Sequence, residues 1–309
     1  MCIRDRPGVH RLQAARRGGR AAHAQRAGGV EAVVVRGRQV DLQRLVAAHQ
    51  LGVGVRQQVA DGVRRAEIFF DPQTHTNRGI PFPALMEGIR GAAVEAERSL
   101  GVSTGLILCF LRHLPAAHAM ETLESGLGFR DDIVGIGLDS SEVGFPPELF
   151  SDVFARAGAE GLHRVAHAGE EGPPAYVWGA LDSLHAERID HGIRALEDPD
   201  LVGRLAAEHT PLTVCPFSNV KLGGFSRLEE HVLPKMLDAG LNVSINSDDP
   251  AYFGGYVGDN YMATAMALEL SGETMVSIAR NSLAATFLPM SEKQTLLKEL
   301  DDYAAGRLV

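Results

Sequence analysis

Cysteine is scarce in this chain. Among 309 residues there are three, Cys2, Cys109 and Cys215, far apart and with no Cys-x-x-Cys pair. That excludes a disulfide framework and a cysteine-built zinc site, and makes the reducing cytoplasm the expected setting. No uninterrupted apolar run reaches the roughly 18 residues a membrane span requires, so no membrane partner is expected. Basic side chains are outnumbered, 30 against 39 acidic, which works against nucleic acid as a partner because phosphate binding needs a positive face. What remains is a chain with 45% hydrophobic residues, long enough for one large α/β unit or two smaller domains, with a small molecule as the expected partner.

Aromatic residues are missing altogether from residues 1–60, although the whole chain has 12 Phe, 5 Tyr and one Trp. The same stretch holds eleven Arg, no Lys and only Asp5, Glu31 and Asp41 as acids. Such an Arg-, Gly- and Ala-rich text has little with which to build a core. A targeting leader, a disordered basic arm and an out-of-frame translation are three competing explanations. The leader lacks serine and an apolar signal core, and the absence of any period favours the last. The division drawn is an anomalous segment at residues 1–56, followed by a barrel domain with C-terminal helices over 57–309.

From Asp61 onward, short β-rich runs alternate with stretches of helical length. The expected strands are Ala66 to Phe70, Gly105 to Phe110, Ile133 to Leu138, His163 to Ala166, Arg188 to Asp190, Leu212 to Val214 and Asn242 to Asn246. Helices are expected at Pro83 to Leu100, Pro146 to Ala159, Pro173 to Leu184, Pro199 to Glu208 and Leu228 to Ala239. Two more, Asn260 to Leu270 and Glu273 to Phe287, would close the chain. Repeated βα units close into an eight-stranded barrel or stay open as a doubly wound sheet. The sheet would want a glycine-rich phosphate loop, and Gly135-Ile136-Gly137 meets Ser140 where the third glycine belongs. The expectation is therefore a (β/α)8 TIM barrel, incomplete at its first strand.

In a βα barrel the catalytic face lies where strands end. There the chain reads His167-Ala168-Gly169-Glu170, then Asp190-His191-Gly192, then Asp248-Asp249-Pro250. Imidazoles and carboxylates on one rim suit a catalytic zinc site, which needs nitrogen and oxygen ligands, an open position for water and a separate proton carrier. Each piece also has an ordinary reading: a lone histidine is commonly a core residue, and Asp-Pro commonly starts a turn. Three strand ends agreeing weigh against three coincidences. His163 and His167 are no metal pair, since four residues of strand span about 13 Å. Cys215 reads as a buried strand-end residue rather than a nucleophile, and Tyr176 and Trp178 as helix packing.

With Arg188-Ile189-Asp190-His191-Gly192, Cys215-Pro216-Phe217-Ser218-Asn219 and Ser244-Ile245-Asn246-Ser247-Asp248-Asp249-Pro250 added, the chain resembles the adenosine/adenine deaminase family of the amidohydrolase superfamily, from about residue 57 to its end. The resemblance implies a zinc-containing barrel that hydrolyses a purine 6-amino group. It implies His167 and Asp248 as zinc ligands and Glu170 as the acid that protonates ring N1. It also implies His191 as the residue that orients the water and helps take its proton, and Asp249 as the hydrogen-bond partner of N7. Leu138-Asp139-Ser140-Ser141-Glu142, with Asp71-Pro72-Gln73-Thr74-His75, is similar to the adenine-deaminating branch. A side chain at Ser140 would narrow the space beside the base, which favours adenine over adenosine.

One feature of the family is missing. Its first strand carries His-x-His, two further zinc ligands, and none of the twelve histidines forms such a pair. Two ligands in place of four would hold zinc weakly, so the chain as written is expected to be inactive. Val30 to Val35 is the best surrogate strand, but it would bring Arg36 and Arg38 where ligands belong. Three alternatives stay open: an adenosine deaminase, a metal-poor purine-binding barrel without catalysis, and an amidohydrolase acting on a non-purine ring.

Overall fold

Runs of Ile, Leu, Phe and Val that are apolar on both faces belong to parallel strands covered by helices, and the computed structural model has seven of them. It describes residues 61–307. The division at residue 56 and the surrogate strand Val30 to Val35 lie outside the described residues.

The strands are β1 (Arg65–Phe70), β2 (Ser103–Leu111), β3 (Ile133–Asp139), β4 (His163–Ala168), β5 (Arg188–His191), β6 (Pro211–Val214) and β7 (Asn242–Ile245). Each pairs in parallel with the next, in sequence order, as one sheet. Among the described residues β1 and β7 are its two edges, and no strand joins them. Among the described residues the architecture is a curled (β/α)8 barrel short of its first strand, and all seven expected strands are present within two residues of their expected ends.

The connections hold helices at Phe82–Leu100, Ala116–Leu127, Ser151–Ala159, Pro174–Asp182, Pro199–Ala207 and Leu233–Asp238. Two expected helices are broken. Pro146 to Ala159 becomes a 3-10 turn, Pro147–Phe150, before Ser151–Ala159, because Phe150 at φ −110°, ψ 9° leaves helical space. Leu228 to Ala239 becomes Leu228–Glu230 and Leu233–Asp238, with Pro234 in the first turn of the second piece, where its missing N–H costs nothing. Val257–Ala267 and Gly272–Ala284 match the two expected closing helices, but a third, Met290–Arg307, follows them. None of its described side chains is fully buried, so its apolar signal is weak.

Apart from the start of β3, where a register shift turns Val134 inward, odd-numbered residues of β1 to β4 face the barrel interior. Phe69, Ile107, Cys109 and Val165 pack there as a small cluster of their own, apart from the larger core between sheet and helices. Gly135 shows how tight this interior is: a Cβ added there would sit 2.8 Å from the His163 carbonyl oxygen. Gly135→Ala is expected to cost roughly 1–3 kcal/mol in a denaturant titration, by overpacking against backbone that cannot yield. An unchanged midpoint would show that β3 and β4 have room to separate. At the lower end of the barrel, buried Glu67 accepts from Arg188 at 2.7 Å and from the Phe287 backbone at 2.6 Å, tying the segment after Gly272–Ala284 to β1.

Candidate active site

Parallel register sets a polar row across the inner face. His167 pairs with Asp190, Asp190 with Thr213, and Thr213 with Ser244. Thr213 donates to Asp190 at 2.6 Å, and the Asp190 carboxylate lies 3.6 Å from His167 Nδ1. Burial pushes the Asp190 carboxyl up, against the opposing pull of Arg188 and Thr213. One ring further along, the His191 imidazole lies 4.8 Å from that of His167, centre to centre. Glu170 Oε1 is 3.6 Å from His191 Nδ1.

A cavity of about 1070 Å³ opens on this row, lined by His167, Asp190, His191, Cys215 and Asp248 and, across it, by β1 and the residues that lead into it, from Asp61 to Phe69. It runs between the two sheet edges. Glu170, Asp249 and Ser140 are not in its wall. Glu170 reaches it through His191, and Asp249 stands beside Asp248. The thiol of Cys215 reports the same convergence: burial first, then Asp248, Glu170 and Asp190, push it well above its ordinary value. A thiol so held is neutral, consistent with a packing residue.

Backbone strain marks the same positions. Six described non-glycine residues have positive φ. His185, His209 and Glu269 follow helix ends, where the left-handed conformation is common. The other three are Ser140 (φ 75°), His191 (φ 65°) and Asp248 (φ 55°), each at or just after a strand end on the rim. Such strain persists only where surroundings impose it, and it gathers at functional sites. Ser140 Oγ pairs with His113 Nδ1 at 2.8 Å. Asp249 caps the short helix Pro250–Phe253 by accepting from Ala251 and Tyr252, so the turn-forming reading of Asp-Asp-Pro holds as well. Burial raises the Asp249 carboxyl.

Three positioning groups carry no warning in their own residue types. Glu142, fully buried, accepts from the backbone N–H of Glu170 at 3.2 Å and of Gly172 at 2.5 Å, which pins the loop bearing Glu170. Arg112, also fully buried, donates to the carbonyls of His167 and Phe145 at 2.7 and 2.9 Å. Asn219 lies against His191. Glu142 and Asn219 stand inside quoted motifs, but only the fold reveals which backbone or ring each one holds.

His191, Cys215 and Asp248 offer ligand atoms all within 4.8 Å of one another, and His167 opens on the same cavity. These donors fit a zinc-like ion in kind. Of these only His167 and Asp248 are ligands that the resemblance implies, and the sequence has no His-x-His pair to add to them.

A parallel βα barrel with imidazole and carboxylate donors converging at its strand ends is the architecture of a barrel hydrolase. The comparisons narrow this. The family pattern described as adenosine deaminase matches residues 35–303, and the chain belongs to the adenosine deaminase family. It is 56% identical over 249 residues to an adenine deaminase of Cupriavidus necator, covering 81% of this chain and 71% of that protein. The crystal structure of an adenine deaminase from Arthrobacter aurescens superposes with a TM-score of 0.83 at 47% identity, covering 85% of this chain and 80% of that one. An amidohydrolase from Burkholderia ambifaria, solved with bound zinc, matches at TM-score 0.78 and 26% identity over 86% of this chain and 76% of that one. Deaminases of this superfamily depend on a metal. No described helix is long and apolar enough to cross a membrane.

Proposed function

We propose that this chain is built for the hydrolysis of adenine to hypoxanthine and ammonia, as a cytoplasmic purine-salvage enzyme using one zinc ion. The observation that carries the reading is the meeting of His167, His191 and Asp248 on one cavity, with Glu170 3.6 Å from His191. His167 and Asp248 would hold the ion, which when bound makes water acidic enough to supply hydroxide near neutral pH. Addition at C6 pushes an electron pair onto ring N1, and Glu170 delivers a proton there. His191 orients the attacking water, and Asp249 hydrogen-bonds the ring at N7. Interactions that strengthen as charge builds on N1 lower the barrier, whereas those shared with the resting purine only bind it.

Ser140 would set the choice of substrate. Its side chain occupies a rim position whose φ of 75° suits glycine better than serine. Equilibrium dialysis of the full chain is expected to show adenine bound at least ~10-fold more tightly than adenosine, a difference of about 1.4 kcal/mol. Ser140→Gly relieves the strain, opens the space and should narrow that ratio. Adenosine bound as tightly as adenine by the unmodified chain would overturn the substrate assignment and restore the adenosine alternative.

A further inference from the structure

The carboxamide of Asn219 stands between two imidazoles, and all three groups are buried. The backbone N–H of Leu233 donates to His231 Nδ1 at 3.0 Å. An amide N–H can only donate, so His231 Nδ1 carries a lone pair and the neutral ring bears its proton on Nε2. Burial pulls the pKa of this ring down to about 4, so it is neutral at physiological pH. His231 Nε2–H therefore donates to Asn219 Oδ1, 3.2 Å away.

That bond settles which way the carboxamide faces. Turned over, its NH2 group would meet the Nε2–H of His231, donor against donor, between two buried side chains. In the orientation that remains, Nδ2 donates to His191 Nδ1 at 3.4 Å. The backbone of Asn219 is held too: its N–H donates to Cys215 at 2.9 Å, and its carbonyl accepts from Gly224 at 2.8 Å. The series Leu233, His231, Asn219, His191 runs in one direction, and every donor meets an acceptor.

We propose that Asn219 and His231 are positioning residues that fix His191 as the tautomer protonated on Nε2. The second nitrogen, Nδ1, is committed to Asn219 and also faces Glu170 Oε1 at 3.6 Å. Nε2–H is then the ring's donor toward the cavity that His191 lines. This deepens the proposed function and rests on it for its catalytic meaning: the resting ring orients the attacking water as a donor, while its one lone pair, on Nδ1, faces Asn219 and Glu170 and does not meet that water's proton. The tautomer itself does not depend on turnover.

Nitrogen-15 NMR of the full chain labelled at histidine, at pH 8 with chelator, reads the tautomer directly. His191 is assigned by the signals lost in His191→Gln. The expected wild-type spectrum has an unprotonated Nδ1 and a protonated Nε2 at His191. Asn219→Asp keeps the shape but removes the donor, and should move the proton to Nδ1. His231→Gln retains a donor toward Asn219 and an acceptor for Leu233, so it should keep the wild-type tautomer, while His231→Leu should give a mixture. A wild-type His191 protonated on Nδ1 overturns the proposal whether or not any variant folds, as does a folded Asn219→Asp chain with the tautomer unchanged. Failure to turn over adenine would count against the proposed function and leave this spectrum as it is.

Discussion

Exchanging residues 1–60 for an N-terminal strand that carries the family's His-x-His pair is expected to raise adenine turnover from background to at least about 1 s⁻¹, the lower part of the usual enzyme range. The reason is coordination number. His167 and Asp248 are two donors, and a catalytic zinc site ordinarily has three or more protein ligands before water takes the open position. Two donors release the ion to a chelator, and four retain it. Zinc content after dialysis against chelator should therefore separate the two chains as sharply as turnover does. The same strand would fill the gap between β1 and β7, whose edges are unpaired among the described residues, and so should raise the melting temperature as well. If the unmodified chain turned adenine over at a comparable rate, the ligand assignment would fall. An exchanged chain that kept its zinc and stayed inert would sink the wider reading of the rim.

How much of this could be read from the sequence depends on whether an element declares itself locally. β2 does: Leu106-Ile107-Leu108-Cys109-Phe110 is continuous apolar text bounded by Gly105 and the polar Arg112-His113, and a strand buried on both faces must look so. Met290–Arg307 does not, because its apolar residues are few and only partly buried, and its helical propensity alone is a weak signal. The rim residues were legible because chemistry concentrated unusual residue types after three strands. Their supports were not. Nothing in Glu142 says that its carboxylate will take the N–H groups of Glu170 and Gly172, 28 and 30 positions downstream, and His231 belongs to no motif at all. Such partnerships are set by register and loop closure, which tie together residues far apart in the chain. Asp249 shows the converse: the ordinary reading as a helix cap and the functional reading at N7 use the same carboxylate, and the cap is visible in the structure.

In the strand-completed chain, Glu170→Gln should lower kcat/KM for adenine by about 10²–10⁴-fold, or roughly 2.7–5.5 kcal/mol of transition-state stabilisation. Glutamine matches glutamate in shape, so the backbone bond from residue 170 to Glu142 and the packing beside His191 stay in place. What is lost is the proton that, in the proposed mechanism, Glu170 hands to N1 as C6 becomes tetrahedral. The loss should therefore fall on kcat, with KM changed only a few-fold, because an interaction made in the transition state alone is being removed. Glu142→Ala provides the contrast: it strips two buried N–H groups of their acceptor and lets the loop move, so it should lower melting temperature and raise KM together. A Glu170→Gln enzyme that kept more than a tenth of the original kcat would show that N1 receives its proton from elsewhere, and His191, whose Nδ1 is the group beside Glu170, would be the residue to test next.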